Sequence, residues 1–425
     1  MQIYEKMNPE QLAQAYALEK AHYEDCKAQG LDLNMARGKP AKAQLDAMSG
    51  VLTALTEPED CFADNTDVRN YGELAGMPSA RAFWADILGC KPEQTVLGGT
   101  SSLNLAFDVI SRAYTHGLLH SPRPWCKEEK VKFLCPAPGY DRHFRITEFF
   151  GAELITVPMT YEGPDMDMVE ELIKDPAVKG LWCVPKYSNP TGIIFSNETV
   201  RRFAAMKPAA PDFALMWDNA YCVHEFDGDF VEFPDIIGLC EQYGNADMVY
   251  EFASTSKITF AGAGIAVLAC SEANVDYFLK LFSVQMISYD KVNQLRHIRF
   301  LKDRKTTLEL MKVHASFMAP KFKVVTEILE KQIKPCGFGS WVNPKGGYFI
   351  SFDTMPGTAK RALALCKEAG VVMTPAGATY PYGIDPNDSN IRIAPSLPPV
   401  EELEKAMDVF CTCLKLAALE KLMNK

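Results

Sequence analysis

The chain has 425 residues, 48% of them hydrophobic and 23% charged, with a formal net charge of −10. That is ordinary globular composition, long enough for two or three domains. The acidic balance argues against a protein built around a basic nucleic-acid-binding face, and no apolar run approaches the roughly 20 residues that span a bilayer.

The opening "MQIYEKMNPEQ" carries charge and lacks the apolar centre of a signal peptide, so a cytoplasmic protein is expected. Thirteen cysteines, none in a C-x-x-C pair, read as reduced and mostly buried thiols. The seven histidines show no ligand spacing such as H-E-x-x-H, and no metal is expected.

In chain order, a helix is predicted over 8–28, followed by "LDLNMARGKP", with no sheet component expected in the first forty residues. From about 95 to 270, seven short apolar runs alternate with helical patterns: "QTVLGG", "KVKFLCPAP", "AELITVPM", "KGLWCVPK", "DFALMWD", "DMVYEFAS" and "GIAVLACS". Continuous runs suit strands buried on both faces of a mostly parallel sheet. Ser196, ahead of "NETVRRFAAMK", suggests a capping box. Beyond about 290 come a long helical stretch (291–333), "GGYFISFDT", a helix-like 357–369, "NIRIAPSLPP" and a closing helix from about 399. These predict a large domain over 46–310 and a smaller α+β domain assembled from 1–45 and 311–425.

In such sheets ligands bind beyond the carboxyl ends of the strands. There the sequence places Gly99, Thr100 and Ser101 at a helix start, Tyr140 after a Pro-Gly turn, and Asn189 in "SNPTG". Asp218 and Tyr221 follow in "DNAY", then Ser254, Ser256 and Lys257 in "EFASTSKITFAGAG". The glycines follow the lysine, so this is not a phosphate-binding P-loop. Each element alone is explained by a cap, a turn or a surface lysine. Five together point to one ligand, anionic at one end and flat in the middle, that needs both a carboxylate and an amine. Pyridoxal 5'-phosphate has those features: phosphate, aromatic ring, ring nitrogen and an aldehyde.

The ordered set S-N-P-T-G (188–192), D-N-A-Y (218–221) and S-T-S-K (254–257) resembles the fold-type I pyridoxal-phosphate aminotransferases of class I/II. The match runs from about 34 to 396. "LNMARGKP", "CPAPGYDRHF", "STSKITFAGAG" and "IRIAPSLPP" resemble a divergent bacterial aspartate aminotransferase group, related to the aminotransferase domains of MocR-type regulators. The resemblance implies an α/β fold with a mostly parallel seven-stranded sheet between helices and a smaller α+β domain. It implies a homodimer that moves an amino group from an L-amino acid, aspartate by subgroup, to 2-oxoglutarate by a ping-pong mechanism.

By the same resemblance Lys257 carries the cofactor and serves as acid and base, Asp218 pairs with the pyridine nitrogen, and Asn189 and Tyr221 reach the ring oxygen. Gly99, Thr100, Ser101, Ser254 and Ser256 hold the phosphate, and Tyr140 stacks on the ring. Arg392 takes the substrate α-carboxylate beside Gly38, and Tyr71 reaches the partner's phosphate. One departure stands out: the arginine expected eight residues after the lysine is Ile265. Arg37, Arg142 and Arg296 are candidates for a second substrate carboxylate. Aromatic or 2-aminoadipate transamination, a β-lyase and a non-catalytic sensor domain are the alternatives.

Overall fold

The computed structural model describes residues 3–424; the ends of the two expected small-domain segments, 1–2 and 425, lie outside the described residues. All seven apolar runs form strands: β1 (Thr95–Leu97), β2 (Lys132–Ala137), β3 (Glu153–Thr160), β4 (Val178–Cys183), β5 (Ala214–Asp218), β6 (Val249–Ser254) and β7 (Ala266–Cys270). Their order is β1-β7-β6-β5-β4-β2-β3, and only β7 runs against its neighbours. The sheet has eight strands rather than seven, because Gly163–Pro164 returns on β3 as a two-residue edge strand. So short a strand carries no apolar run of its own.

Both faces of the sheet are buried along its inner strands, as continuous apolar runs require, whereas β3, near the edge, leaves Thr156, Pro158 and Thr160 exposed although its run reads the same way. Ala214 and Met216 pack to one side with Val109, Phe278 and Trp182, while Leu215 and Trp217 pack to the other with Trp84, Phe203 and Ile237. A separate core joins the first helix (Pro9–Ala28) to the closing helix (Val400–Met423) and a three-stranded antiparallel sheet. That sheet consists of Ser340–Trp341, Ile350–Asp353 and Asn390–Ile393.

Three expectations are corrected. The first forty residues do contribute to a sheet, since Leu33–Asn34 pairs in parallel with Val371–Val372. A two-residue strand has no periodicity to read. The stretch 291–333 is two helices, Lys291–Leu301 and Arg304–Gln332, broken where Lys302 adopts φ +62°. Asp303 then accepts the Thr306 backbone N–H at 2.7 Å and starts the second helix afresh. At Ser196 only half a capping box forms: its hydroxyl accepts the Thr199 N–H, and the third helical position is Thr199 where a glutamate would be needed. The helix Arg304–Gln332 gives Met311 to the large-sheet core and Met318 to the other.

Candidate active site

Parallel strands deliver their carboxyl ends to one edge of the sheet, and register fixes which residues meet there. Asp218 lies opposite Phe252, two residues before Ser254. Ser254 lies opposite Ala266, whose carbonyl accepts the Gly98 N–H at 2.7 Å. Strand pairing thus brings the 98–101 loop beside the serine–lysine segment, although more than 150 residues separate them. Ser254 Oγ donates to Ser256 Oγ at 3.0 Å, and Ser256 Oγ donates to the Thr100 carbonyl at 3.2 Å. Ser101 caps the helix Ser102–Thr115 by accepting the Leu103 N–H. Gly99, Thr100, Ser101, Ser254 and Ser256 therefore share one corner, at a helix start whose dipole favours an anion.

Lys257 sits one residue further on. Its Nζ lies 5.0 Å from the centre of the Tyr221 ring and 5.9 Å from that of Tyr348, which is stacked on Tyr221. Burial lowers the amine's pKa, and the Asp218 carboxylate partly restores it. Burial pushes the Tyr221 hydroxyl well above its ordinary range, and Tyr140 up to about 12, so both phenols remain protonated donors at neutral pH.

Asp218 is 6% exposed. One oxygen, Oδ2, is 2.9 Å from His143 Nε2, and the His143 ring is stacked on Trp182 at 4.4 Å. The other, Oδ1, is buried without a partner. An unpaired buried carboxylate oxygen is costly unless a ligand supplies a donor. His143 was not anticipated. It stands three residues after Tyr140 on the helix Asp141–Phe149, and its ring meets the Tyr140 ring edge-on at 4.8 Å. The signal was the helical spacing of Tyr140 and His143 in "YDRHF".

Arg392, in the small antiparallel sheet, also reaches this region. Its Nη1 donates to Asp141 Oδ1 at 2.9 Å and to Asn189 Oδ1 at 3.3 Å, while Nε is buried and unpaired. Its guanidinium lies 4.9 Å from the centre of the Phe349 ring, and a Cβ on Gly38 would come within 2.6 Å of that same ring. Gly38 is thus required by close packing beside the arginine. Asp141 and Phe349 were likewise unforeseen, because they come from segments distant in sequence.

Arg37 and Arg142 line a cleft of about 960 Å³ together with Gly38, Tyr140 and Arg392. Arg296 does not line that cleft: it donates to Asn293 Oδ1 at 2.8 Å, and its Nε is buried without a partner. Ile265 is 2% exposed, and its N–H donates to Thr255 Oγ1 at 2.9 Å, so no side-chain charge is present at that position. Tyr71 is not brought to this site within one chain. It is 77% exposed, although Lys291 Nζ donates to the carbonyls on either side of it.

The donor set fits a phosphorylated pyridine aldehyde. The unpartnered Asp218 Oδ1 suits a protonated ring nitrogen, Lys257 a carbonyl carbon, and the hydroxyl-lined helix start a phosphate. The aspartate amino-transferase family profile matches residues 7–425. The aspartate aminotransferase of Corynebacterium glutamicum is 49% identical over 405 residues, covering 95% of this chain and 94% of that one. A crystal structure of an aspartate transaminase from the same organism superposes with a TM-score of 0.97 at 47% identity, covering 99% of both chains. The α-aminoadipate aminotransferase of Thermus thermophilus, complexed with N-(5'-phosphopyridoxyl)-L-leucine, superposes with a TM-score of 0.73. At 20% identity, over 93% of this chain and 95% of that one, the likeness is one of fold. The chain belongs to the aspartate aminotransferase family of fold-type I pyridoxal-phosphate enzymes and is a transaminase. No helix among the described residues is long and apolar enough to cross a membrane.

Proposed function

We propose that the protein exchanges the amino group of L-aspartate with 2-oxoglutarate by a ping-pong sequence, using pyridoxal phosphate held by the strand-end residues. The observation that carries this reading is the buried pair of Asp218, with one oxygen unpartnered, and Lys257, an amine whose pKa burial depresses. The cofactor, when bound, supplies the electron sink that acidifies the substrate's Cα–H bond. Lys257 Nζ takes that proton as a base and returns it as an acid, for which a depressed pKa is the requirement. Asp218 Oδ1 holds a proton on the ring nitrogen, and His143 fixes the carboxylate from behind. Tyr221 and Asn189 hydrogen-bond the ring oxygen, and Tyr140 covers the ring face.

Arg392 Nη1 is already engaged, so the buried, unpaired Nε with its neighbouring nitrogen forms the fork for the α-carboxylate. The subgroup likeness favours aspartate, whose second carboxylate requires a second cation. Arg37 and Arg142, in the same cleft as Arg392, are placed to supply it. The phosphate is met by hydroxyls, backbone N–H groups and the helix dipole in place of the missing arginine. We further propose a cytoplasmic homodimer in which Tyr71 reaches the partner's site, and domains over 46–310 and over 1–45 with 311–425.

The test is the absorption spectrum of the purified holoenzyme before and after L-aspartate, with no oxo acid present. Loss of the yellow band with stoichiometric oxaloacetate is expected. A yellow protein unmoved by aspartate but bleached by an aromatic amino acid or 2-aminoadipate would overturn the substrate. Formation of pyruvate and ammonia from a β-substituted amino acid, with no oxaloacetate from aspartate, would make it a β-lyase. A protein that bleaches once but never turns over with both substrates would be a sensor.

A further inference from the structure

At the far side of the small core, the first and closing helices bring three metal-ligating side chains together. His22 and Cys26 are four residues apart on the helix Pro9–Ala28 and so share one face. Asp408 faces them from the helix Val400–Met423. His22 Nε2 is 2.9 Å from Asp408 Oδ2, and Cys26 Sγ is 3.7 Å from the histidine nitrogen and 3.8 Å from the same carboxylate oxygen. We propose that His22, Cys26 and Asp408 form a binding site for a divalent zinc-like cation that ties the N-terminal helix to the C-terminal one.

The spacing supports this reading. Tetrahedral zinc with bonds of about 2.0 Å to nitrogen and oxygen and about 2.3 Å to sulfur sets neighbouring ligand atoms about 3.3–3.6 Å apart. The three observed separations bracket that range, so shifts of a few tenths of an ångström would admit the ion. The donor set of one imidazole, one thiolate and one carboxylate is selective for zinc and its neighbours over magnesium or calcium. Its charge of −2 with a neutral imidazole is balanced by the cation. Asp408 has a supporting contact, since Gln332 Nε2 donates to its other oxygen at 3.3 Å. An entry path exists: Cys26 is buried, but the side chains of His22 and Asp408 are 47% and 39% exposed. The fourth position is left for water. On binding, the Cys26 Sγ–H bond breaks, its proton passes to solvent, and the sulfur bonds the metal. Without metal the group is a half-exposed His–Asp pair of little energetic consequence, with a thiol beside it.

The site was invisible to spacing rules because Asp408 lies 382 residues from Cys26. Testing it requires holoenzyme stripped with a chelator and dialysed against zinc or cobalt(II). The proposal expects one metal per chain, a cobalt spectrum containing thiolate-to-metal charge transfer, and a raised melting temperature with zinc. Cys26→Ser should lose the charge-transfer absorption and the melting shift, and His22→Gln, at a half-exposed position that tolerates polarity, should lose the stoichiometric metal. No uptake by the wild type, or uptake and charge transfer unchanged in either variant, overturns the site. The readouts do not involve transamination, so they stand or fall separately from the proposed activity.

Discussion

The two arms of the candidate site are each half-paired, one through a carboxylate and the other through a guanidinium. At the strand ends, Asp218 keeps one buried oxygen unpartnered. In the small sheet, Arg392 is already paired with Asp141 and Asn189 through one nitrogen. Both arms carry an unmet desolvation cost that a ligand relieves, at Asp218 Oδ1 and at Arg392 Nε; they differ in what holds them, a single histidine ring on a neighbouring helix for Asp218 and side chains from two separate segments for Arg392.

The sharpest way to break this contrast is Lys257→Ala. Loss of the proposed acid–base group should lower kcat by at least about 10²–10⁴-fold, and borohydride should no longer fix the cofactor covalently to the chain. Near wild-type turnover would refute the role of the strand-end arm altogether.

Glu251 provides a second unmet carboxyl, on the strand paired with that of Asp218. It lies on β6 opposite Trp217, accepts from Asn219 Nδ2 at 3.0 Å, and leaves its other oxygen buried without a partner. Burial pushes its carboxyl up from 4.5 to about 8. A raised folded-state pKa means its favourable contribution is complete below pH 4.5 and is lost as pH rises towards 8. Glu251→Gln should therefore gain stability over wild type across that window. The gain is bounded at about 5 kcal/mol from about 1.4 kcal/mol per pKa unit. Urea unfolding at pH 5 and pH 8 measures it; parallel profiles for the two proteins would show that Glu251 is not desolvated.

Arg392→Lys tests the second arm. A single ammonium cannot reproduce the fork, so kcat/KM for the amino acid should fall about 10–100-fold, following a loss of about 1.5–3 kcal/mol for a charged hydrogen bond. Cofactor affinity should hardly change. If KM is untouched, the α-carboxylate is bound elsewhere.

Legibility in the sequence follows the same division. Six of the seven strands could be read because burial on both faces leaves continuous apolar runs, and Asp218, Tyr221 and Lys257 because they stand at the end of such a run or within three residues of it. His143 and Asp141 were hidden in a helix whose polar residues also read as solvent-facing. The partners of Arg392 come from three segments joined only by folding. Nor does any local pattern announce Leu33–Asn34, whose two residues become a strand only because Val371–Val372 lies alongside.

The smallest expected effect concerns the corner where Ile265 replaces the usual arginine. With no guanidinium there, the proposed phosphate site would rest on many weak donors; the Ser254 and Ser256 hydroxyls now form a relay ending at the Thr100 carbonyl and would turn from it to face an anion. Ser256→Ala removes one neutral hydroxyl worth about 1 kcal/mol, so the cofactor dissociation constant should rise by no more than roughly fivefold. Ser254→Ala removes the hydroxyl that both donates to Ser256 Oγ and accepts the Ser256 N–H, so its effect should exceed that of Ser256→Ala. Fluorescence titration of apoenzyme with pyridoxal phosphate separates the two. A loss of 100-fold or more from either serine would mean that the charge is concentrated on a single hydroxyl, contrary to a site that compensates for a missing cation by number.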